Sequence, residues 1–298
     1  MNILITGGTG FIGRHFIQQY TQYQYTVLIH NRPPKHLPDN VQTITDLSKL
    51  TDLNNFDAVI NLAGAPIVGK RWTEEYKQKI RTSRLNTTQQ LCTLFTVTTN
   101  KPKVFLSGSA IGIYGDTGVG KIDESNELSI REDDFAQQLC LDWEKIARTI
   151  TDTRLILLRT GIVLGRDGGA LQQMLPAFKL GLGGPLGDGQ QYMSWIHVSD
   201  MVKAIDFLLN SSQSEGPFNM VAPNPVTNSE FSQSLAVTLK RPGFLRVPKI
   251  VMKFTLGEAH QLLFDSQNIL PARLQQQGFK FDYPYIKTAL QALVGKKS

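Results

Sequence analysis

The run Ile3-Leu4-Ile5-Thr6-Gly7-Gly8-Thr9-Gly10-Phe11-Ile12-Gly13 constrains this chain more than any other stretch, because it reads as strand, turn and helix in immediate succession. An apolar, β-rich segment ends at Thr6, glycines fall at 7, 10 and 13, and a helical pattern follows through Tyr20. Each glycine has its own mechanical reason. Gly7 permits a tight turn off the strand, Gly10 lets the backbone approach a pyrophosphate with no Cβ between them, and Gly13 allows close helix packing. The N-terminus of that helix offers free N–H groups to phosphate oxygens. With a strand before it and a helix after it, the triplet reads as a dinucleotide site. The expected contacts there are Gly7, Thr9, Gly10, Phe11, Ile12 and Gly13.

The rest of the chain alternates in the same way. Short apolar runs at 26–30, 41–44, 58–64, 103–107 and 155–159 read as strands, with helical patterns over about 73–99 and 131–150. Short strands separated by helices require crossover connections, so the expected fold is α/β: a Rossmann-type doubly wound parallel sheet with a smaller, mainly helical C-terminal substrate domain. We place the dinucleotide-binding domain at 1–165, rejoined by about 191–222, and the substrate or lid domain at 166–190 and 223–298. The glycine-rich stretch 165–189 shows little periodicity and reads as a mobile loop or lid. Beyond it, Gln190, Gln191 and Trp195 look like substrate-side contacts. Apolar helical spacing at Ile250, Phe254, Leu262, Leu263 and Leu270 fits a small helical cover over a cleft, or a face against a partner subunit.

With 298 residues, of which 41% are hydrophobic, the chain can bury a large core. Met1-Asn2 leads straight into the first strand without a basic leader, and no apolar run reaches membrane-spanning length, so a cytoplasmic protein with no membrane partner is expected. Cys92 and Cys140 read as buried free thiols. The net charge of +6 is scattered rather than striped, which argues against nucleic acid and suits anionic ligands. The five histidines lack thiol or carboxylate partners at ligand spacing, so no metal site is expected. The partner expected is a small-molecule substrate, with the chain a monomer or homodimer.

Cofactor choice turns on the end of the second strand. An acidic residue there would bond the ribose 2′-hydroxyl and repel a 2′-phosphate. This chain has His30-Asn31-Arg32 instead, and Arg32 can fork onto a 2′-phosphate, so NADP(H) is expected over NAD(H), with Asn31 beside it. Asp46 caps the adenine edge or is a surface carboxylate. Leu62, Ala63 and Gly64, at the end of the fourth strand, should run beside the pyrophosphate and nicotinamide ribose. Arg71 and Arg84 either reach a phosphate or an acidic substrate, or are exposed charges on a loop and a helix face.

On these residues the chain resembles the extended short-chain dehydrogenases of the NAD-dependent epimerase/dehydratase type, and more narrowly the atypical "epimerase family" subgroup with a DUF1731 C-terminal segment from about 247. Beyond the glycine run, the resemblance is carried by Asn61-Leu62-Ala63-Gly64, Lys70-Arg71-Trp72-Thr73-Glu74 and Ser83-Arg84-Leu85-Asn86-Thr87-Thr88. Ser107 to Gly115, Leu158 to Gly165, Ser194 to Asp200 and Leu270 to Leu274 extend it over nearly the whole chain. The resemblance implies a Tyr-x3-Lys pair on the helix after the fifth strand, with a serine at that strand's end. The matching helix carries Ala136 and Cys140 at that spacing. Tyr283 and Lys287 are the one such pair in the sequence, and their place near the C-terminus marks a coincidence. Ser109 matches the family serine, with Ser107 as cofactor neighbour or strand-end residue. Tyr114 supplies a phenol from another direction or packs beside a turn. Cys140 lacks an activating neighbour and is a poor nucleophile, and His197 is expected to be structural. Two functional readings follow: an NADP-dependent oxidoreductase or epimerase using Ser109 and Tyr114, or a non-catalytic NADP-binding protein that senses redox state or regulates a partner.

Overall fold

The computed structural model describes residues 1–29 and 38–295. Five parallel strands build the first half: β1 (Asn2–Thr6), β2 (Gln24–Leu28), β3 (Val41–Ile44), β4 (Ala58–Asn61) and β5 (Val104–Ala110). They are connected through α1 (Phe11–Gln19), a 3-10 turn at 47–49 and α2 (Glu74–Val97), and after β5 come a second 3-10 turn at 111–114 and α3 (Phe135–Ala147). Next are β6 (Arg154–Thr160), β7 (Ile162–Leu164), α4 (Gly169–Lys179), β8 (Tyr192–Met193), β9 (Trp195–His197), α5 (Val198–Asn210) and β10 (Gly216–Met220). The chain ends with β11 (Val226–Thr227), α6 (Asn228–Leu239), α7 (Lys249–Leu256), α8 (Gln261–Phe264), α9 (Ala272–Gln276) and α10 (Ile286–Val294).

The main sheet has the order β10-β6-β5-β4-β1-β2-β3, and all its pairs are parallel. Strand order reverses between β1 and β4, which makes that edge-to-edge gap the switch point where ligands bind in doubly wound sheets. The strands are buried on both faces, so successive residues serve opposite cores. Ile3 and Ile5 pack with Phe16 of α1 and with Met201, Ile205 and Leu208 of α5. Leu4, between them, joins Leu91 and Phe95 of α2 and Ala147 of α3 on the other face.

Several sequence expectations shift. The second strand starts and ends two residues early, at Gln24–Leu28, and the 131–150 helix contracts to Phe135–Ala147 because the Asp134 side chain caps it at Ala136 N and Gln137 N. The 165–189 stretch is not a loop: α4 occupies its centre and buries Leu171, Leu175 and Phe178 in a second core with Trp195, Phe231 of α6 and Leu290 of α10. Its glycines serve packing, since a Cβ on Gly165 or Gly168 would meet the Phe11 ring at 2.4 or 2.2 Å. Trp195 is likewise core rather than a substrate contact: it is fully buried and donates from Nε1 to the Asn224 carbonyl. Gln191 is spent on the Leu186 and Leu263 carbonyls. Ile250 and Phe254 point outward, 76% and 83% exposed, so the C-terminal apolar spacing is only partly core.

Candidate active site

Gly7 follows β1 with φ +69, a left-handed turn that favours glycine, and a Cβ there would sit 2.4 Å from the Leu62 carbonyl oxygen. Gly13 is buried where α1 crosses that turn, and a Cβ on it would meet Gly7 O at 2.4 Å. Close packing is therefore onto the turn itself. Gly10 has extended backbone, is exposed, and caps α1 with no side-chain hydrogen bond. The first-turn amides of α1 are consequently left without a side-chain cap, with the helix dipole behind them, and Thr9 beside them is exposed. Phe11 contributes backbone only, because its ring packs on Gly165, Gly168 and Gly169 and edge-on to His15. Arg14 and His15 reach Asp167 at 2.8 and 3.1 Å and pin the same corner.

Across the switch point, β4 stops at Asn61, and Leu62, Ala63 and Gly64 continue as irregular backbone beside the glycine turn. A buried polar chain holds this wall. Thr6 Oγ1 donates to Asn61 Oδ1 (2.6 Å), Asn61 Nδ2 to Thr88 Oγ1 (2.8 Å), and Trp143 Nε1 to the same hydroxyl (2.8 Å). Thr88 in turn donates to the Arg84 carbonyl, so its hydroxyl is saturated. Trp143 also explains Gly108, where a Cβ would stand 2.7 Å from the indole. Sequence reasoning passed over Asn61, Thr88 and Trp143 as functional positions. The signal was a polar residue ending an otherwise apolar strand.

Ser109 and Tyr114, the expected proton-handling pair, have both hydroxyls engaged. Both lie in one buried network and are not free proton donors. Ser109 Oγ donates to Glu144 Oε1 at 2.8 Å, and Arg159 grips the same carboxylate with Nε and Nη2 at 2.9 and 3.0 Å. Arg159 Nη1 donates to the Tyr114 hydroxyl (2.8 Å), which donates to Asn219 Oδ1 (2.9 Å). Burial raises the Tyr114 phenol further from useful acidity, although Arg159 opposes it. Burial also works against the Arg159 cation, yet the Glu144 carboxylate more than offsets this and holds its pKa above the ordinary value. Ser107 is fully buried, with its hydroxyl turned to the Gly108 carbonyl at 3.5 Å. Cys140 is buried and its thiol is pushed up to about 12, chiefly by desolvation, so it is no nucleophile. Ala136 and Cys140 flank Gly112, at 3.7 and 3.9 Å from where its Cβ would be.

His197 Nδ1 accepts from Ser199 N at 3.0 Å, and its ring stacks on Tyr283 at 3.9 Å. Asp46 caps the 3-10 turn at 47–49 through Ser48 N. Arg71 is exposed and lies along Gly257 of the C-terminal segment. Arg84 is not an exposed helix charge. It is 9% exposed, on the β4–β5 side of the switch point, against Gly64 and over the Trp143 ring. Asn31 and Arg32 lie outside the described residues. No cluster of metal-ligating side chains occurs among the described residues, and no helix among them is long and apolar enough to cross a membrane.

A seven-stranded parallel sheet with a glycine turn at its switch point defines a Rossmann-type nucleotide-binding protein. The chain belongs to the NAD dependent epimerase/dehydratase family, whose model matches residues 3–221; a domain of unknown function, DUF1731, matches 247–293. Among curated relatives, the chloroplastic epimerase family protein SDR39U1 homolog of Arabidopsis thaliana is 38% identical over 99% of this chain and 87% of its own length. An epimerase family protein of Staphylococcus haemolyticus is 36% identical over 98% of both chains. The human epimerase family protein SDR39U1, crystallised with NADPH, superposes with a TM-score of 0.91 at 32% identity over 99% of both chains. A UDP-glucuronic acid 4-epimerase from Bacillus cereus, solved with UDP-glucuronic acid and NAD, shares the fold at a TM-score of 0.77 and 19% identity.

Proposed function

We propose that this chain binds NADP(H) at the glycine turn and is an oxidoreductase or epimerase-like enzyme on a small carbonyl- or hydroxyl-bearing substrate, with an active site that lacks the Tyr-x3-Lys pair. The observation that carries the reading is the glycine turn, where a Cβ on Gly7 or Gly13 would strike the turn's own backbone at 2.4 Å and α1 begins without a side-chain cap, in a chain 32% identical to a protein crystallised with NADPH. The α1 amides from Phe11 to Gly13 would bind the pyrophosphate, and Leu62, Ala63 and Gly64 would line the nicotinamide ribose. Arg32, with Asn31, would recognise the 2′-phosphate by a bidentate fork, from its place in the sequence after β2. When bound, the nicotinamide supplies or takes up hydride.

This chain's own residues exclude water and orient. The Glu144–Arg159 pair fixes the floor under β5, and the chain from Thr6 to Trp143 fixes the β4 wall. Segments 166–190 and 223–298 form the substrate side in this reading. Ala136 and Cys140 at the usual acid–base positions, with Ser109 and Tyr114 engaged elsewhere, favour a second reading: an NADP-binding regulatory protein without turnover. NADPH oxidation against a panel of small aldehydes, ketones and 2-oxo acids separates the two. Turnover with any of them, lost in Gly10→Ala, supports the enzyme. Tight NADPH binding with no turnover across the panel supports the regulator.

A further inference from the structure

Three buried or half-buried arginines show what this chain does with a guanidinium that serves structure. Arg159 is met by both oxygens of Glu144 and by Tyr114. Arg154 donates to the carbonyls of Leu208, Leu209 and Ser214 at the C-terminal end of α5, where the helix dipole favours a cation. Arg273 bonds the carbonyls of Glu215 and Pro217. Arg84 has neither a carboxylate nor a helix C-terminus. Its Nη1 donates to the Ile80 carbonyl in the middle of α2 (3.2 Å), and its Nη2 to the Ala65 carbonyl (3.1 Å). A guanidinium carries five N–H donors, so Nε–H and one proton on each Nη have no acceptor among the described residues. Burial pushes this cation's pKa down, and no carboxylate offsets it.

The unused donors face somewhere definite. A Cβ on Gly64 would lie 2.7 Å from Arg84 Cζ, 2.8 Å from Nη2 and 3.1 Å from Nε, and Gly64 itself is exposed. The missing side chain at 64 is thus the opening through which the guanidinium edge meets the cleft. The opposite face is closed by the Trp143 ring, 5.4 Å from Cζ. A dinucleotide with its pyrophosphate on α1 and its adenine end towards β2 runs its other half towards β4 and β5, which is the side where Arg84 stands. A desolvated cation with three free donors at that end of the cleft lacks its counter-ion, and a ligand anion supplies it.

We propose that Arg84 is the seat of a substrate carboxylate, so that the site takes a small carbonyl or hydroxyl compound bearing an adjacent carboxylate, such as a 2-oxo or 2-hydroxy acid. The planar fork of the guanidinium matches the two oxygens of a carboxylate, and the titration with inorganic phosphate tests that choice of anion. The proposal rests on the NADP(H) reading only for where the reacting carbon sits; the seat stands on the geometry of Arg84 and Gly64.

The test is calorimetric titration with pyruvate, its neutral amide pyruvamide and inorganic phosphate, each with and without NADPH. Wild type, Arg84→Gln, Arg84→Lys and Gly64→Ala are compared after circular dichroism confirms folding. Wild type should bind pyruvate about tenfold or more tighter than pyruvamide, the worth of one charge-assisted pair. Arg84→Gln should erase that ratio while NADPH affinity changes by no more than about twofold, and Arg84→Lys should keep part of it. Gly64→Ala leaves the cation and closes its opening, so it should weaken pyruvate about tenfold even if Arg84→Gln fails to fold. A ratio that persists in Arg84→Gln, phosphate binding equal to pyruvate, or no ratio in wild type overturns the seat. So does a loss of NADPH affinity in Arg84→Gln as large as the loss of pyruvate. Absence of NADPH binding to wild type would instead sink the cofactor reading, and the NADPH-free titrations would still decide the seat by the same ratio.

Discussion

At the scale of single residues, the glycine turn separates folding from binding. Gly7 needs its left-handed backbone and its contact with Leu62, so Gly7→Ala is expected to cost about 2 kcal/mol or more of stability in urea denaturation. Gly10 has φ −74, and its Cβ would approach only Gly7 O at 3.0 Å. Gly10→Ala should therefore fold within about 1 kcal/mol of wild type while weakening NADPH about tenfold. If both variants lose stability equally, the turn is structural and the cradle argument fails. Glu144 gives a second contrast. It is buried and neutralises Arg159, so Glu144→Ala should cost about 3–5 kcal/mol, whereas losing half-exposed Arg148 from the same carboxylate should cost under about 1 kcal/mol.

Among the secondary-structure elements, α5 is the most informative. It is entered through His197, whose Nδ1 caps the helix, and its Asp200 carboxylate accepts the backbone amides of Asp282 and Tyr283. Burial lowers the His197 pKa to about 4 from an ordinary value of 6.5. The unfolded chain therefore binds more protons between those values, and stability is lost as pH falls from about 6.5 to about 4. His197→Asn keeps a capping side chain without titrating. Wild type should lose about 2 kcal/mol more than this variant between pH 7 and pH 4, measured by denaturation at each pH, and parallel pH profiles would refute the assignment.

The strands and long helices were legible in sequence from their apolar period, whereas the start of α3 was not, because the Asp134 cap that sets it lies inside the stretch read as helix. The 165–189 stretch was misread because glycines flank a helix of only 11 residues and mask its apolar face. Ser109 and Tyr114 were legible as positions, but the network that engages them was not. Their partners Glu144, Arg159 and Asn219 come from α3, β6 and β10, and no local pattern announces such pairings.

For the whole molecule, the C-terminal segment is a strut shared by two cores. Leu274 and Phe279 pack in the core under the main sheet, while Ile286, Ala289 and Leu290 complete the one around Trp195. Calorimetric unfolding should give a single transition, and a chain truncated after Arg246 should be insoluble or molten. A folded, NADPH-binding truncation would show that the strut is an independent unit. The central claim, a cleft at the β1–β4 switch point built for NADP(H), is tested most directly by titrating wild type with NADPH and NADH side by side and repeating both with Arg32→Glu. The account predicts NADPH binding at least about tenfold tighter than NADH, with the preference lost in the variant. Equal affinities, or none, would contradict it.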